Sequence, residues 1–482
     1  MIRVPSAGAA LAPPERYGLE VLVDLSRLLP IEDPTAPVTE VLVVEEPRDP
    51  GTLASLVSSG WRIAPGDGVV RVPRAALRVI ADVAGAGVEQ RTTARDRLGR
   101  VPSGENPLVA AGLEREPVVS RAAALLREAV IASAGDRAVR LLPAWPEGRR
   151  WAAAITHDLD AVEWWAVFTG LRAVELGGKG HLRLTARVLA AAARAIGADP
   201  LADGVRSLLA GEARRDLVST WFVLCGTPTL RTLLAGDLTY RPEATKAVAA
   251  LRAITEGRHE VGLHGSFETG RIAGAFKAQR GRLAALAGRE IAGVRQHFVK
   301  MDPGVTHRSM LAAGFSYDAT YGFPDRNGFR LGVADVVPGW DDERRLSSDL
   351  MEVPLIWMDR ALSKYRGIER PDAWINDGLE LAAAARQVDG LWVGLWHPNL
   401  TPPLGYPGAP EALARLLDEL RGLQPYWGRL QDIVAWRRAR KSVRARAVSA
   451  NGRVTAVLPT ALPAPLRLVD AHGAPAEEVS VG

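Results

Sequence analysis

The sequence predicts an α/β fold in which a distorted (β/α)7-8 barrel carries the chemistry, with an α+β domain before it and a small β appendage after it. Three observations predict this. Between about 151 and 430, short apolar runs alternate with Ala/Leu/Arg stretches of helical spacing, the pattern of a parallel sheet or barrel. Nearly every apolar run ends in His, Asp or Arg, and the C-terminal strand ends are where a β/α barrel builds its active site. The 482 residues are 47% apolar and 24% charged, which places the chain among globular proteins and excludes disorder or coiled coil as a reading of the whole.

Residues 1–148 mix strand-like runs (VLVDL, VLVVEE, VVRVP) with helix-like ones (RAALRVIADVAG, VSRAAALLREAVIASA) and show no catalytic constellation. This N-terminal α+β domain ends in LLPAWPEGRRW, whose prolines and charges predict a linker. The barrel follows over 149–442. Its strands are predicted in AAITHDLD, STWFVLC, HEVGLH, AGVRQHF, LMEVPLIW and LWVGLWH, and its helices at 184–196, 243–256, 273–287, 377–388 and 410–422. The segment 161–218 is too long for one crossover helix and reads as an insertion that walls or lids the site. Residues 443–482, with RVTAVLP and LRLVDA, form the appendage.

A single cysteine, Cys225, excludes a disulfide framework and a multi-thiolate zinc site, so a metal would be held by His and carboxylates. No run approaches 18 consecutive apolar residues, so no transmembrane segment is predicted and the default address is cytoplasmic. The net charge is +5, with the basic residues scattered along helix-like stretches, so no nucleic-acid partner is predicted. RRARKSVRAR at 437–446 reads as a solvated helix end, with a polyanion contact as the rival.

Three familiar motifs fail. G-x-S-x-G is absent; GGKG at 177–180 lacks the other residues of a phosphate loop. His259 and His264 are five residues apart, about 140° on a helix and on opposite faces of a strand, so they do not share a metal.

Thr156-His157-Asp158-Leu159-Asp160 ends an apolar run, and a spacing of two aims both carboxylates to one side of a strand. Carboxylates that close repel unless a cation or proton separates them, so one suits a metal and the other a proton from water. Alone, the pair would read as an Asp-rich turn. HEVGLHGSFET adds His264 at another strand end, with Glu268 four residues on, and a helical turn would bring these onto one face. Imidazole with carboxylate oxygens suits zinc or a similar divalent ion. LWVGLWHPN adds His397, a candidate general acid.

With these residues in place, the stretch 150–400 resembles the polysaccharide deacetylases of carbohydrate esterase family 4, in the branch whose first motif reads T-H-D-x-D. The resemblance implies a metal-dependent hydrolase that removes N-acetyl groups from an amino-sugar-containing glycan. It implies Asp158 as catalytic base, Asp160 and His264 as metal ligands, Arg295 as the group that orients the base, and His397 as general acid. The residues after Arg295, Gln296-His297-Phe298, stand where the family places oxyanion-binding N–H groups. EVPLIWMDRAL resembles the pocket-lining stretch, with Asp359 a partner for His397 or Arg295. DRLGRVPSGENPLVAAGLEREPVV resembles a stretch often found ahead of such domains.

The usual second motif continues H-[ST]-x-x-H, whereas this chain has His264-Gly265-Ser266-Phe267-Glu268, so the third ligand is Glu268, a water or absent. His297 either approaches the site or packs in the core. Trp164, Trp165, Trp357 and Trp396 are candidates for stacking on sugar faces, with a core role as the rival. Two other readings stand beside the deacetylase: a metal-independent C–N hydrolase of the same fold, and a non-catalytic glycan-binding protein.

Overall fold

The computed structural model describes residues 1–482 except 4–10, 32–35, 37, 45–52, 54–55, 57–61, 64–67, 136–138, 163–164, 195–198, 231, 233–236, 449–453, 459–465, 479 and 482. Three groups of strands follow one another along the chain. The first is a four-stranded sheet in the order β1 (Ile2–Arg3), β2 (Thr39–Val44), β4 (Val69–Pro73), β3 (Arg62–Ile63), parallel except for the β3–β4 pair. Helices α1 (Pro13–Ser26), α2 (Arg74–Ala84) and α3 (Val118–Ser133) pack with it. In α2, RAALRVIADVA buries Ala76, Leu77, Ile80, Ala81, Val83 and Ala84, the spacing of one helical face.

The second group is a curled, nearly all-parallel sheet that forms the distorted barrel. Its strands are β5 (Ala152–Leu159), β6 (Thr220–Leu224), β7 (Glu260–Gly265), β8 (Gly293–Gln296), β9 (Tyr317–Asp318), β10 (Val337–Asp341), β11 (Leu346–Glu352), β12 (Trp357–Met358), β13 (Leu391–Leu395) and β14 (Tyr426–Trp427). Their order is β10-β11-β9-β8-β7-β6-β5-β13-β12, with β14 beside the start of β5 and only β10–β11 antiparallel. Helices α7 (Thr245–Glu256), α8 (Ala275–Ala287), α9 (Val305–Ala312), α10 (Pro371–Gln387), α11 (Ala409–Gly422) and α12 (Leu430–Ser442) surround it. Between β5 and β6 the chain forms α4 (Trp165–Gly178), α5 (Leu182–Arg194) and α6 (Pro200–Ala213). Thus the expected insertion is helical. Asp199 caps α6 through Leu201 and Ala202 N–H, while Leu171, Val174 and Leu182 on α4 and α5 stay exposed.

Every residue of β5, β6, β7, β8 and β13 is buried, as expected for parallel strands covered on both sides. Side-chain alternation then decides which residues can do chemistry. Ala152 and Ala154 share an inner core with Phe222, Val393 and Leu395, whereas Ala153 and Ile155 pack outward with Trp392, and Val261, Leu263 and Val294 pack outward with Leu251 and Leu283. Continuing that alternation turns Asp158, Asp160, His264, Arg295 and His397 inward at one end of the barrel.

Three expectations change. LMEVPLIW is not one strand: β11 ends at Glu352 and β12 begins at Trp357, because Pro354 has no N–H for a ladder. The expected linker is packed, with Trp145 and Trp151 buried and the Trp145 Nε1–H donating to the Asp389 carbonyl at 2.9 Å. The basic run at 437–446 is not a solvated helix end: Arg437 and Arg440 are buried, and Arg437 pairs with Asp335 and Asp24.

The appendage pairs β15 (Arg444–Val448) with β16 (Val454–Leu458), β16 with β19 (Ser480–Val481), and β17 (Arg467–Val469) with β18 (Pro475–Glu478). Bridges from Ile31 to Ala445 and from Leu141 to Val469 bind it to earlier parts of the chain. Among the described residues no helix is long and apolar enough to cross a membrane.

Candidate active site

Arg295 stands on β8 directly beside His264 on β7 in the parallel register. Its guanidinium is fully buried and donates to Asp158 Oδ1 at 2.9 Å, Thr156 Oγ1 at 2.8 Å and the Ala319 carbonyl at 2.9 Å, with its carbon 4.3 Å from the centre of the Phe222 ring. These contacts fix the Asp158 side chain in one orientation.

Asp160 is the hub. The His264 Nε2 lies 3.2 Å from Asp160 Oδ1, the His297 Nε2 3.4 Å from the same oxygen, and the His397 Nε2 3.7 Å from Oδ2. Each ring is held from behind. The His264 Nδ1–H donates to the Arg295 carbonyl at 2.9 Å, His297 Nδ1 pairs with Asp237 Oδ1 at 2.7 Å, and His397 Nδ1 pairs with Asp359 Oδ1 at 2.7 Å. Asp359 also accepts the His397 backbone N–H, so ring and backbone share one anchor. Binding Nδ1 leaves Nε2 of all three rings facing the site.

Asp160, His264 and His297 offer three ligand atoms within 4.8 Å of one another. Two of these atoms, Asp160 Oδ1 and His264 Nε2, are buried without a hydrogen-bond partner. Orphaned lone pairs that converge fit a divalent cation. The electrostatics agree: burial alone would raise the Asp160 pKa, but the nearby His297, His264 and His397 hold it well below the carboxylate range. Burial alone would lower that of His264, but Asp158 and Asp160 hold it above the ordinary histidine value. The His397 pKa is likewise raised, with Asp359 outweighing burial.

Thus Asp158, Asp160, Arg295, His264 and His397 come together. Glu268 is not in the cation-ready group, where the third side chain is His297; after β7 the chain turns, and Glu268 presents its carbonyl to the Arg271 and Ile272 N–H groups. His259 lies at the other end of β7, with its Nδ1 at Ser219, and His157 faces outward to Glu212 of α6. Trp357 and Trp396 are core: both are buried and stacked 6.2 Å apart. Trp164 lies outside the described residues.

Asp237 and Arg100 escaped the sequence, and the turn at Phe298 was legible only through the resemblance. Asp237, almost fully buried in the loop after β6, anchors His297 and accepts the Phe267 N–H. Phe298 and Val299 have φ of 61° and 48°, a left-handed turn that is a true outlier for a β-branched residue and a form of strain that gathers at functional sites. Arg100, from the N-terminal stretch DRLGRVPSGENPLVAAGLEREPVV, reaches across to the Phe298 carbonyl and the Tyr365 hydroxyl and so braces that turn.

Asp158, Asp160, His297 and His397 open on a cavity of about 300 Å³, also lined by Arg100, Phe298, Arg360, Lys364, Tyr365 and Asn399. A larger cavity of about 450 Å³ lies between α6 and α11 against Trp396 and contains none of the converging acids or imidazoles.

No protein-family model and no curated protein matches the sequence. Among solved structures, the chain is similar to a protein described as a polysaccharide deacetylase from Mycobacterium smegmatis, with 23% identity over 63% of this chain and 96% of that one and a TM-score of 0.39. A protein described as a polysaccharide deacetylase from Pseudomonas aeruginosa PAO1 gives 16% identity over 62% and 94%, TM-score 0.41. BA3943, a CE4 family pseudoenzyme from Bacillus anthracis, gives 10% identity over 59% and 65%, TM-score 0.29. Likenesses of this size assign no activity.

Proposed function

We propose that this chain is a metal-dependent carbohydrate deacetylase of the polysaccharide deacetylase family, hydrolysing the amide of an N-acetylated amino sugar. One observation carries the proposal: an Arg-oriented carboxylate, a cation-ready Asp/His/His group and an Asp-backed histidine face one cavity. Asp160, His264 and His297 would hold the ion, with zinc the natural choice for this donor set. When bound, it would polarise the acetyl carbonyl and acidify water.

The remaining work falls to the protein. Asp158 takes the proton of the attacking water, aimed by the Arg295 guanidinium that donates to it. The oxyanion that forms lies against the left-handed turn at Phe298, which lines the cavity. As the C–N bond breaks, His397 gives its Nε2 proton to the leaving nitrogen, and acetate and a free amine result. Asp359 accepts the Nδ1–H and, against burial, raises the His397 pKa, which favours the doubly protonated ring whose Nε2–H is the proton given up. Phe298 and Tyr365 supply the aromatic walls, and about 300 Å³ suits one sugar unit at the low end of ligand-pocket sizes.

The metal-independent reading rested on the missing histidine at position 268; His297 supplies an imidazole in its place. The test measures acetate released from N-acetylated oligosaccharides, together with metal content. The expected result is about one divalent ion per chain, acetate release that chelator abolishes, and loss of activity in Asp158→Asn. Chelator-insensitive hydrolysis would establish the metal-independent enzyme, and glycan binding without any hydrolysis the non-catalytic protein.

A further inference from the structure

The cavity at the active site continues sideways. A second cavity of about 180 Å³, walled by Leu171, Arg172 and Glu175 of α4 and by Tyr406, shares Arg360, Lys364 and Asn399 with the first. A charge tally of the walls is uneven. Asp158 is matched by Arg295, Arg100 by Asp96 at 2.7 Å, and Arg172 by Glu175 at 2.8 Å. Asp160 faces His264, His297 and His397, whereas Arg360 and Lys364 have no such ion pair. The Arg360 guanidinium donates to the Tyr406 hydroxyl and lies 5.5 Å from the centre of that ring, and the Lys364 ammonium lies 5.7 Å from the centre of the Tyr365 ring. Neither has a carboxylate within ion-pairing distance among the described residues. Two unmatched cations at the junction of two cavities, one of them half-buried, form an anion site in waiting.

We infer that this junction is a phosphate subsite: Arg360 and Lys364 bind a phosphate ester carried by the same amino sugar whose amide the enzyme cleaves. The inference rests on the deacetylase reading and narrows its substrate from neutral glycans to phosphorylated amino sugars. Arginine offers a planar fork and lysine a mobile point charge, a pairing suited to phosphate oxygens. Their joint charge matches a phosphomonoester, at about −1.5 to −2 near neutrality, better than a single carboxylate. The rival role for Arg360 is to balance Asp359 and Asp160, which are close enough to favour its charged form. That role would act on every substrate alike, and it leaves the exposed Lys364 unexplained.

Calorimetric titration of the metal-loaded Asp158→Asn protein separates these roles without turnover. The probes are N-acetylglucosamine, its 1-phosphate, and N-acetylmuramic acid as the carboxylate. The phosphate ester is expected to bind at least about tenfold tighter than the neutral sugar, and Lys364→Met and Arg360→Met each to cut that preference about tenfold. Raising the salt should shrink it as well. Equal affinities would overturn the inference. So would a phosphate preference untouched by both substitutions, which would place the anion elsewhere, or a carboxylate preference as large. Acetate release by the wild-type chain is read separately: no acetate with an intact, Lys364-dependent preference sinks the deacetylase reading and leaves the subsite standing.

Discussion

His397 matters only to a leaving group that needs a proton. An amine expelled as an anion is prohibitively basic, whereas a nitrophenolate leaves unaided. His397→Ala should therefore cost about 10²- to 10⁴-fold in kcat/KM on an N-acetyl sugar and less than about tenfold on an aryl acetate. Equal losses on both would remove the general-acid role. Asp237 acts at one remove, through the His297 ring that it holds at 2.7 Å. Asp237→Asn is expected to weaken metal affinity about 10- to 100-fold, the usual cost of losing a carboxylate behind a ligating histidine, while Glu268→Ala leaves it unchanged. Competition against a chromogenic chelator measures both. Asp158, Asp160, His264, Arg295 and His397 were legible because each ends a strand, and strand alternation is written in the sequence. Asp237 was not, because it lies in a loop where no periodicity reports which way a side chain points, and His297, just past the end of β8, was left open between site and core.

Strand β8 shows how an element holds the site. A Cβ on Gly293 would lie 2.0 Å from Tyr317 Cζ, and Tyr317 in turn donates to Glu260 at 2.6 Å in the barrel floor. Gly293→Ala must push that ring or the strand aside and is expected to cost about 1–3 kcal/mol. Because Arg295 is two residues further along the same strand, activity should fall with stability. Gly281 is the internal control: it sits exposed in α8 with nothing within 4 Å of its Cβ, so Gly281→Ala should stabilise by about 0.5–1 kcal/mol. Denaturant midpoints read both, and a harmless Gly293→Ala would show that the strand is less tightly packed than its geometry implies. At this scale the long apolar runs and helical stretches were legible within a few residues. The two-residue strands β9, β12 and β14 were not, since pairing with neighbours rather than local pattern makes them strands. The chain that looked like a linker was opaque for a related reason: prolines and charges mark a break in periodicity, but Trp145 and Trp151 in the same stretch find partners far away, at Asp389 and Leu423.

The N-terminal part and the barrel are joined by polar groups that neither could bury alone. Asp389 receives Arg27, Arg127 and Arg150, and Arg437 of α12 reaches Asp24 of α1. Tyr17 of α1 donates to the Pro338 carbonyl on β10. Beneath that contact lies a buried group outside the active site: Glu352 on β11, Asp318 on β9 and His307 on α9. His307 Nδ1 pairs with Glu352 Oε1 at 2.7 Å, and Thr320 donates its N–H to Asp318 Oδ1, but Asp318 Oδ2 and Glu352 Oε2 have no partner. Burial pushes Glu352 up to about 8 and raises Asp318 well above the carboxylate range, while burial lowers His307. Burial, opposed by the bond to Asp318, thus holds Glu352 protonated at neutral pH. In the unfolded chain Glu352 ionises near its ordinary value of 4.5. Between that value and about 8 the unfolded state therefore binds fewer protons than the native one, so native stability falls as pH rises, by up to about 1.4 kcal/mol per pH unit. Glu352→Gln keeps an acceptor for His307 and removes the proton. Its stability curve should be flatter than that of the wild type between pH 5 and about 8, with the variant gaining on the wild type toward the alkaline side. Urea midpoints across that range decide it: parallel curves would mean that Glu352 is already ionised in the folded protein and that water or His307⁺ compensates its charge.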